Sequence, residues 1–469
     1  MLKIFEKKIF LVFTVVLSYL TLNIFRSETS AVYRRSLFLF NNTFQLEAFN
    51  KIPKENDPNE KYLTFFTHSG FQNQLIQVEN GILLAWYLNR TLILPKALLG
   101  EAFGWSPFEK LELHHRIRDK NTKCKRLRAQ SPYSFSCPNP DKYALASFDE
   151  LFDLSFAKQH VKIITRESSD FEWLARYFGI RRIGITKQET GMIKDGDILF
   201  FKGESRYDWR IFDMPRKTKF LGKYNDSLEI SQLIGCKEKL IHFTSLFGTG
   251  KMAVRKPEHI EFLESLQKSI TYNHPAVLAI AHKVIELLGG TGNFVGIHLR
   301  TADGPFVNAM PGNIENIISQ LDFIQQSYIP YNHSIDDTRH GNLNEPNTLQ
   351  TCNYLSKNSQ MIIFLATDAN YPHNDPKFSQ LYKSYPCIFT LNDILSEDNV
   401  IWNLMDQYRT SHTNTSMRKF LIPLVDALVA SKGHAFIGTE GSTFSGYIRR
   451  LHSHFWDSSK SEMQETNQK

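Results

Sequence analysis

The stretch Phe294-Val295-Gly296-Ile297-His298-Leu299-Arg300-Thr301-Ala302-Asp303-Gly304 passes from an unbroken apolar run into a packet of polar and charged groups. A strand that is apolar at every position is buried on both faces, as parallel strands of α/β sheets are. Ligands of such sheets sit just beyond the carboxyl ends of the strands, which is where His298, Arg300 and Asp303 fall. Arg300 offers a planar fork of donors suited to phosphate, and His298 can hold a phosphate oxygen or read a base edge. Standing alone, the segment reads equally well as a strand-end arginine paired to a nearby aspartate.

Further strands give it context. Tyr62 to Thr67 is β-rich, and His68 to Asn73 reads as a tight loop. Gln74 to Leu88 carries apolar residues at helical spacing, and Thr91 to Pro95 is again apolar. Strand, loop, helix, strand is a βαβ unit. Strand patterns recur at Val161 to Thr165 and Ile198 to Phe201, and helical ones at Phe171 to Phe178 and Glu258 to Leu266. In the second half, a helix from Val277 to Leu288 closes on Gly289-Gly290, a C-cap signal. Strands follow at Met361 to Ala366, Cys387 to Leu391 and Ala435 to Gly438, and a helix at Phe420 to Ala430. The stretch from Phe306 to Gln360 is rich in Pro, Asn and His and reads as a loop-rich insertion. The expected architecture is α/β, with two halves and a cleft between them.

Four strand ends thus carry polar residues: His68 to Asn73, His298 to Asp303, Thr367-Asp368, and Thr439 to Ser445. The last opens a helix, so its backbone N–H groups and the hydroxyls of Ser442, Thr443 and Ser445 could hold phosphate oxygens. Ser and Thr are equally ordinary as helix N-caps. A phosphate-seeking arginine and a hydroxyl-rich helix start within one α/β half suggest a diphosphate ligand.

The chain has 469 residues with a formal net charge of +7 spread along its length. That length exceeds one hydrophobic core, so two domains are expected. Lys and Arg cluster between Arg116 and Arg128 without interleaved aromatics, which reads as a solvated loop. Nucleic acid is not an expected partner. Lys3, Lys7 and Lys8 precede an apolar run from Ile9 to Phe25, near the ~20 residues of a spanning helix and longer than a signal core. A single-pass type II anchor is expected, with a cleavable signal ending near Thr29-Ser30-Ala31 as the alternative. Either way the body is lumenal, and the short span suits the endoplasmic reticulum or Golgi.

Sequons at Asn41, Asn225, Asn332 and Asn414 fit a lumenal body, while Asn89 lies too close to a buried strand to be used. Of five cysteines, Cys124 with Cys137 is the preferred disulfide, Cys352 with Cys387 the second, and Cys236 is left over. No cysteine has zinc-site spacing. The pair Asp195-Gly196-Asp197 precedes its strand and reads as a turn rather than a metal site. No metal or other cofactor is expected.

Three blocks, in order, resemble the GDP-fucose-dependent O-fucosyltransferase group of GT-B glycosyltransferases. They are Ser69-Gly70-Phe71-Gln72-Asn73-Gln74 with Leu88 to Pro95, Ile297 to Asp303, and Phe436 to Ser445; Ala366-Thr367-Asp368 lies between the last two. The resemblance implies a GT-B-like fold of two Rossmann-like domains facing a cleft. The expected division is 1–26 tail and anchor, 27–60 stem, 61–274 acceptor-side domain, and 275–469 nucleotide-sugar domain.

It implies that His298 and Arg300 contact a GDP-sugar donor and that Arg300 neutralises the leaving phosphate. Ser442, Thr443 and Phe444 would hold the diphosphate and pack near the base, Asp368 would lie at the nucleotide, and Asp303, Gly70 and Phe71 would line the site. Asn73 would lie beside the sugar and a protein or glycan acceptor. Some relatives place a Glu base before Gly-Phe-Asn where this chain has Ser69, so the base is unassigned, with Asp303 and Glu79 as candidates. A transferase using another nucleotide sugar, and a non-catalytic lectin- or chaperone-like relative, remain alternatives.

Overall fold

The computed structural model describes residues 57, 59–119, 124–129, 133, 135–184, 190–215, 220–302, 304–327, 348–356 and 360–466. The expected anchor at Ile9 to Phe25, the sequons Asn41 and Asn332, and Asp303 lie outside them. Among the described residues no helix is long and apolar enough to cross a membrane. Residues 59–469 form one compact unit.

Along the chain the first strands are β1 (Tyr62–Phe65), β2 (Thr91–Leu94), β3 (Ala97–Gly100), β4 (Tyr143–Ala146) and β5 (Ile163–Thr165). They are followed by β6 (Gly191–Asp195), β7 (Ile198–Lys202), β8 (Arg210–Phe212), β9 (Ser227–Glu229), β10 (Leu240–Phe243) and β11 (Met252–Ala253). Six of them make a sheet in the order β5-β2-β1-β10-β7-β6, parallel except for the β6–β7 hairpin. Every residue of β1, β2 and β10 is buried, as central parallel strands are. The helix Phe71–Leu88 makes the crossover from β1 to β2. It begins three residues earlier than the sequence suggests, so Phe71 to Asn73 are helical rather than loop.

The second sheet comes from β12 (Val295–Leu299), β13 (Ile363–Thr367), β14 (Ile388–Phe389) and β15 (Ala435–Gly438). It is fully parallel, in the order β14-β13-β12-β15. The connections run outward to one side from β12 and then return to its other side at β15. This reversal opens a crevice at the carboxyl ends of β12 and β15, where doubly wound sheets bind ligands. Register sets His298 beside Ala366 on one strand and Gly438 on the other. The helix Arg418–Ala430 packs closely on β12, and a Cβ on Gly296 would collide with the Ala430 carbonyl.

Two segments depart from expectation. Gly304–Ser327 is one helix despite Pro311. Met310, Ile314, Ile317 and Leu321 on it are buried against Val295, Ile297 and Leu299. The described part of the Lys/Arg-rich stretch is helical rather than loop, Phe108–Asp119 and Cys124–Ala129, although Lys125, Arg126 and Arg128 are exposed as expected. There Arg116 pairs with Asp170 at 2.7 Å, and buried Arg118 lies 4.5 Å over the Phe103 ring. Disulfides join Cys124 to Cys137 and Cys352 to Cys387, and Cys236 is free. Asn89, Asn225 and Asn414 are exposed.

Candidate active site

The crevice between β12 and β15 gathers the polar residues of three strand ends. His298 is the fourth residue of β12 and is buried. Its Nδ1 lies 2.7 Å from Ser445 Oγ, and its ring centroid is 4.8 Å from that of Phe444. Gly438 permits this approach: a Cβ there would sit 2.8 Å from the Ser445 Cβ. Burial is the main cause that holds the His298 pKa down to about 4, with Asp368 pulling upward and Arg300 downward. The imidazole is therefore neutral near pH 7. No described residue hydrogen-bonds its Nε2.

Arg300 follows two residues later, at the rim. Its backbone N–H donates to Thr439 Oγ1 at 2.9 Å, and that hydroxyl donates to the His298 carbonyl at 3.0 Å. Thr439 thus staples the end of β12 to the end of β15. The Arg300 Nε lies 3.2 Å from Asp368 Oδ2, with a third of the arginine side chain exposed. Asp368 also accepts from Thr301 N at 2.7 Å, Thr301 Oγ1 at 2.9 Å and Ala302 N at 3.2 Å. Four donors on one carboxylate make Asp368 a brace for the Arg300 loop.

The helix Thr443–Thr466 starts at the same crevice. Ser442 Oγ accepts from Ser445 N at 3.3 Å, so Ser442 caps that helix. Ser445, read from sequence as a phosphate holder, is instead fully buried and turned onto His298. Thr443 is exposed and Phe444 half-buried at the helix start. A neutral imidazole, a guanidinium and a helix N-terminus converging on one crevice suit a phosphorylated anion. Thr439 and the orienting role of Ser445 were not anticipated, since neither hydrogen bond has a local sequence signal.

The remaining candidates sit at the end of β1. Gly70 is the exposed N-cap of the helix Phe71–Leu88, which places Asn73 inside the first turn. Phe71 stacks on Phe152 at 5.5 Å and Phe148 at 6.4 Å. No hydrogen bond connects these three residues to the His298 cluster. Glu79 is buried and bonded to Arg450 Nη2 at 2.6 Å. That pair ties the first crossover helix to the helix Thr443–Thr466 and occupies the carboxylate.

Asp195 and Asp197 flank the β6–β7 hairpin turn. Asp195 is engaged by Arg182 Nε at 2.9 Å, Ile183 N at 2.7 Å and Gly184 N at 3.0 Å, and Asp197 by Arg181 N at 2.9 Å.

No curated protein matches the chain by sequence. Among solved structures, POFUT1 in complex with GDP-fucose is similar at 13% identity, covering 84% of this chain and 94% of that one, with a TM-score of 0.36. The fucosyltransferase NodZ from Bradyrhizobium is similar at 12% identity, covering 83% and 93%, with a TM-score of 0.35. At these scores the likenesses carry no weight of their own. The model of the family "GDP-fucose protein O-fucosyltransferase" matches residues 136–454. That span holds the His298, Asp368 and Ser442 segments but not the turn after β1. With more than half of its length so matched, the chain belongs to the GDP-fucose protein O-fucosyltransferase family of glycosyltransferases.

Proposed function

We propose that the protein transfers fucose from GDP-fucose to a hydroxyl of a protein or glycan, with inversion and without a metal. In this reading residues 61–274 and 275–469 are the two Rossmann-like domains of a GT-B fold. A type II anchor would hold the body in the lumen of the endoplasmic reticulum or Golgi.

The observation that carries the reading is the crevice between β12 and β15. Breaking the bond from the sugar C1 to the phosphate oxygen leaves negative charge on the diphosphate and oxocarbenium character on the sugar. In this reading Arg300, held by Asp368 and Thr439, stabilises that charge as it appears. His298, neutral and oriented by Ser445, supplies a nucleotide contact. The acceptor oxygen bonds to C1 from the opposite face and loses its proton to solvent or to a basic group.

Engagement of Asp195 and Asp197 by backbone and arginine supports doing without a divalent ion. The presence of Ser69 where some relatives have glutamate favours a second reading, a donor-binding relative without turnover.

The test is a thermal-shift panel on the full chain in detergent with GDP, UDP and GDP-fucose, joined to an assay of GDP release. GDP and GDP-fucose should raise the midpoint, UDP should not, and GDP-fucose should turn over. Stabilisation by UDP alone would overturn the donor assignment, and stabilisation by GDP-fucose without GDP release would favour the second reading.

A further inference from the structure

The end of β1 carries a second polar cluster that the donor crevice does not use. His68, buried, lies with Nδ1 2.8 Å from Ser69 Oγ and Nε2 2.8 Å from Ser245 Oγ, which follows β10. The strands β1 and β10 are neighbours at the reversal point of the six-stranded sheet, the ligand position of that sheet.

One set of directions satisfies every hydrogen bond in this cluster. Gln77 Nε2 lies 3.0 Å from the His68 carbonyl and 3.2 Å from the Asn73 carbonyl, so that atom is the amide nitrogen. Its Oε1 must then accept, and Ser245 Oγ donates to it at 3.2 Å. With its one proton given away, Ser245 Oγ accepts from Phe247 N at 2.9 Å and from His68 Nε2–H. Burial, reinforced by Arg206 and Lys251, keeps His68 neutral by holding its pKa at about 3. A neutral ring protonated on Nε2 has only a lone pair on Nδ1, so Ser69 Oγ–H donates to it. The Ser69 oxygen is left with its lone pairs alone, and no other described residue hydrogen-bonds it.

The backbone adds a second observation. Ser69 has φ of 66°, in the left-handed region that disfavours a non-glycine residue, although Gly70 beside it is in an ordinary conformation. Strain of this kind is kept where the surrounding structure enforces it, often at functional sites. The turn holds the half-exposed hydroxyl at the mouth of the strand ends, one helical turn from Asn73.

We infer that Ser69 is a substrate-contacting residue whose oxygen serves only as a hydrogen-bond acceptor, with His68 as the positioning residue that fixes its polarity. The ligand group is a hydroxyl that donates: one on the transferred sugar, or the acceptor oxygen that attacks it. This rests on the proposed transfer reaction. It gives the ligand a hydrogen-bond acceptor at this turn without requiring His68 to become charged; the proton of an attacking hydroxyl still leaves to solvent or to a basic group.

The clean variant is Ser69→Gly, which deletes the hydroxyl and relaxes the left-handed turn instead of straining it. Wild-type and variant full chains in detergent are titrated with GDP and with GDP-fucose, and GDP release from GDP-fucose is followed with water as acceptor. A roughly tenfold loss of GDP-fucose affinity at unchanged GDP affinity would assign the contact to the transferred sugar. Unchanged affinities with roughly tenfold slower GDP release would assign it to the attacking oxygen. A variant that melts no lower and matches the wild type in both measurements would overturn the inference. Failure of the wild-type chain to bind GDP would overturn the transfer reading first, and this inference with it.

Discussion

Asp368 holds Arg300 by its Nε at 3.2 Å while three further donors from Thr301 and Ala302 fix the same carboxylate. The guanidinium is therefore held in place by the protein alone, and in the proposed reaction little reorganisation would remain as charge develops. Arg300→Ala should cut turnover about 10²–10³-fold, the usual scale for removing a preorganised charge stabiliser. Arg300→Lys should recover little, because an ammonium lacks the fork and loses the Nε contact to Asp368. Steady-state kinetics with GDP-fucose check this, and near-normal turnover in the alanine variant would remove Arg300 from the mechanism.

Ser445 acts through His298. Replacing it with alanine leaves a buried imidazole nitrogen without its partner at 2.7 Å, a loss of about 1–3 kcal/mol. Ser445→Ala should weaken GDP binding by about tenfold or more while Arg300 and its brace stay in place. Calorimetric titration with GDP measures it, and an unchanged affinity would show that the His298 orientation does not matter to the nucleotide.

Glu79 is engaged in an ion pair that joins two helices. Its side chain is 5% exposed and bonded to Arg450 at 2.6 Å. Removing one partner of a buried ion pair costs about 3 kcal/mol because the other is left uncompensated. Glu79→Ala should lower the melting temperature by several degrees yet keep the specific activity of the folded fraction. Loss of activity at unchanged stability would return Glu79 to candidacy as the base.

Much of this site was legible because parallel strands advertise themselves: Val295 to Leu299 and Ala435 to Gly438 are apolar runs that end in polar residues. Pairings across the sheet were not. That Thr439 bonds the His298 carbonyl depends on β15 lying beside β12, a fact of topology that no local pattern encodes. The helix Gly304–Ser327 was hidden by Pro311 and Gly312, although Met310, Ile314, Ile317 and Leu321 keep the spacing of a buried face. The central strand β10 was masked by His242, a polar residue that burial tolerates because its Nδ1 and Nε2 both find partners.

Asp195 and Asp197 bear on metal dependence. Both Asp195 oxygens are taken by Arg182 and by the backbone N–H groups of residues 183 and 184, and one Asp197 oxygen by that of residue 181; among the described residues no group of three or more His, Cys, Asp or Glu could hold a metal. Activity should persist after exhaustive EDTA treatment. Complete loss on chelation that manganese restores would show that a metal, rather than Arg300, neutralises the leaving diphosphate.

Acid should destabilise the fold, and histidines are the reason. Burial holds His68 and His115 at about 3 and His298 at about 4, against an ordinary value of 6.5. Between these limits only the unfolded chain takes up the protons. Their contribution is therefore fully present above pH 6.5 and is lost as pH falls toward the folded values. From pH 7 to pH 5 the loss is about 2 kcal/mol for each of the three. Partly buried Asp426, pushed up to about 7 by burial, binds its proton in the folded state over the same window and offsets roughly one histidine. The net effect should be a clearly lower urea midpoint at pH 5 than at pH 7, and His298→Gln should show a smaller drop than the wild type. A midpoint that stays level or rises on acidification would mean that these rings are not held neutral in the folded protein.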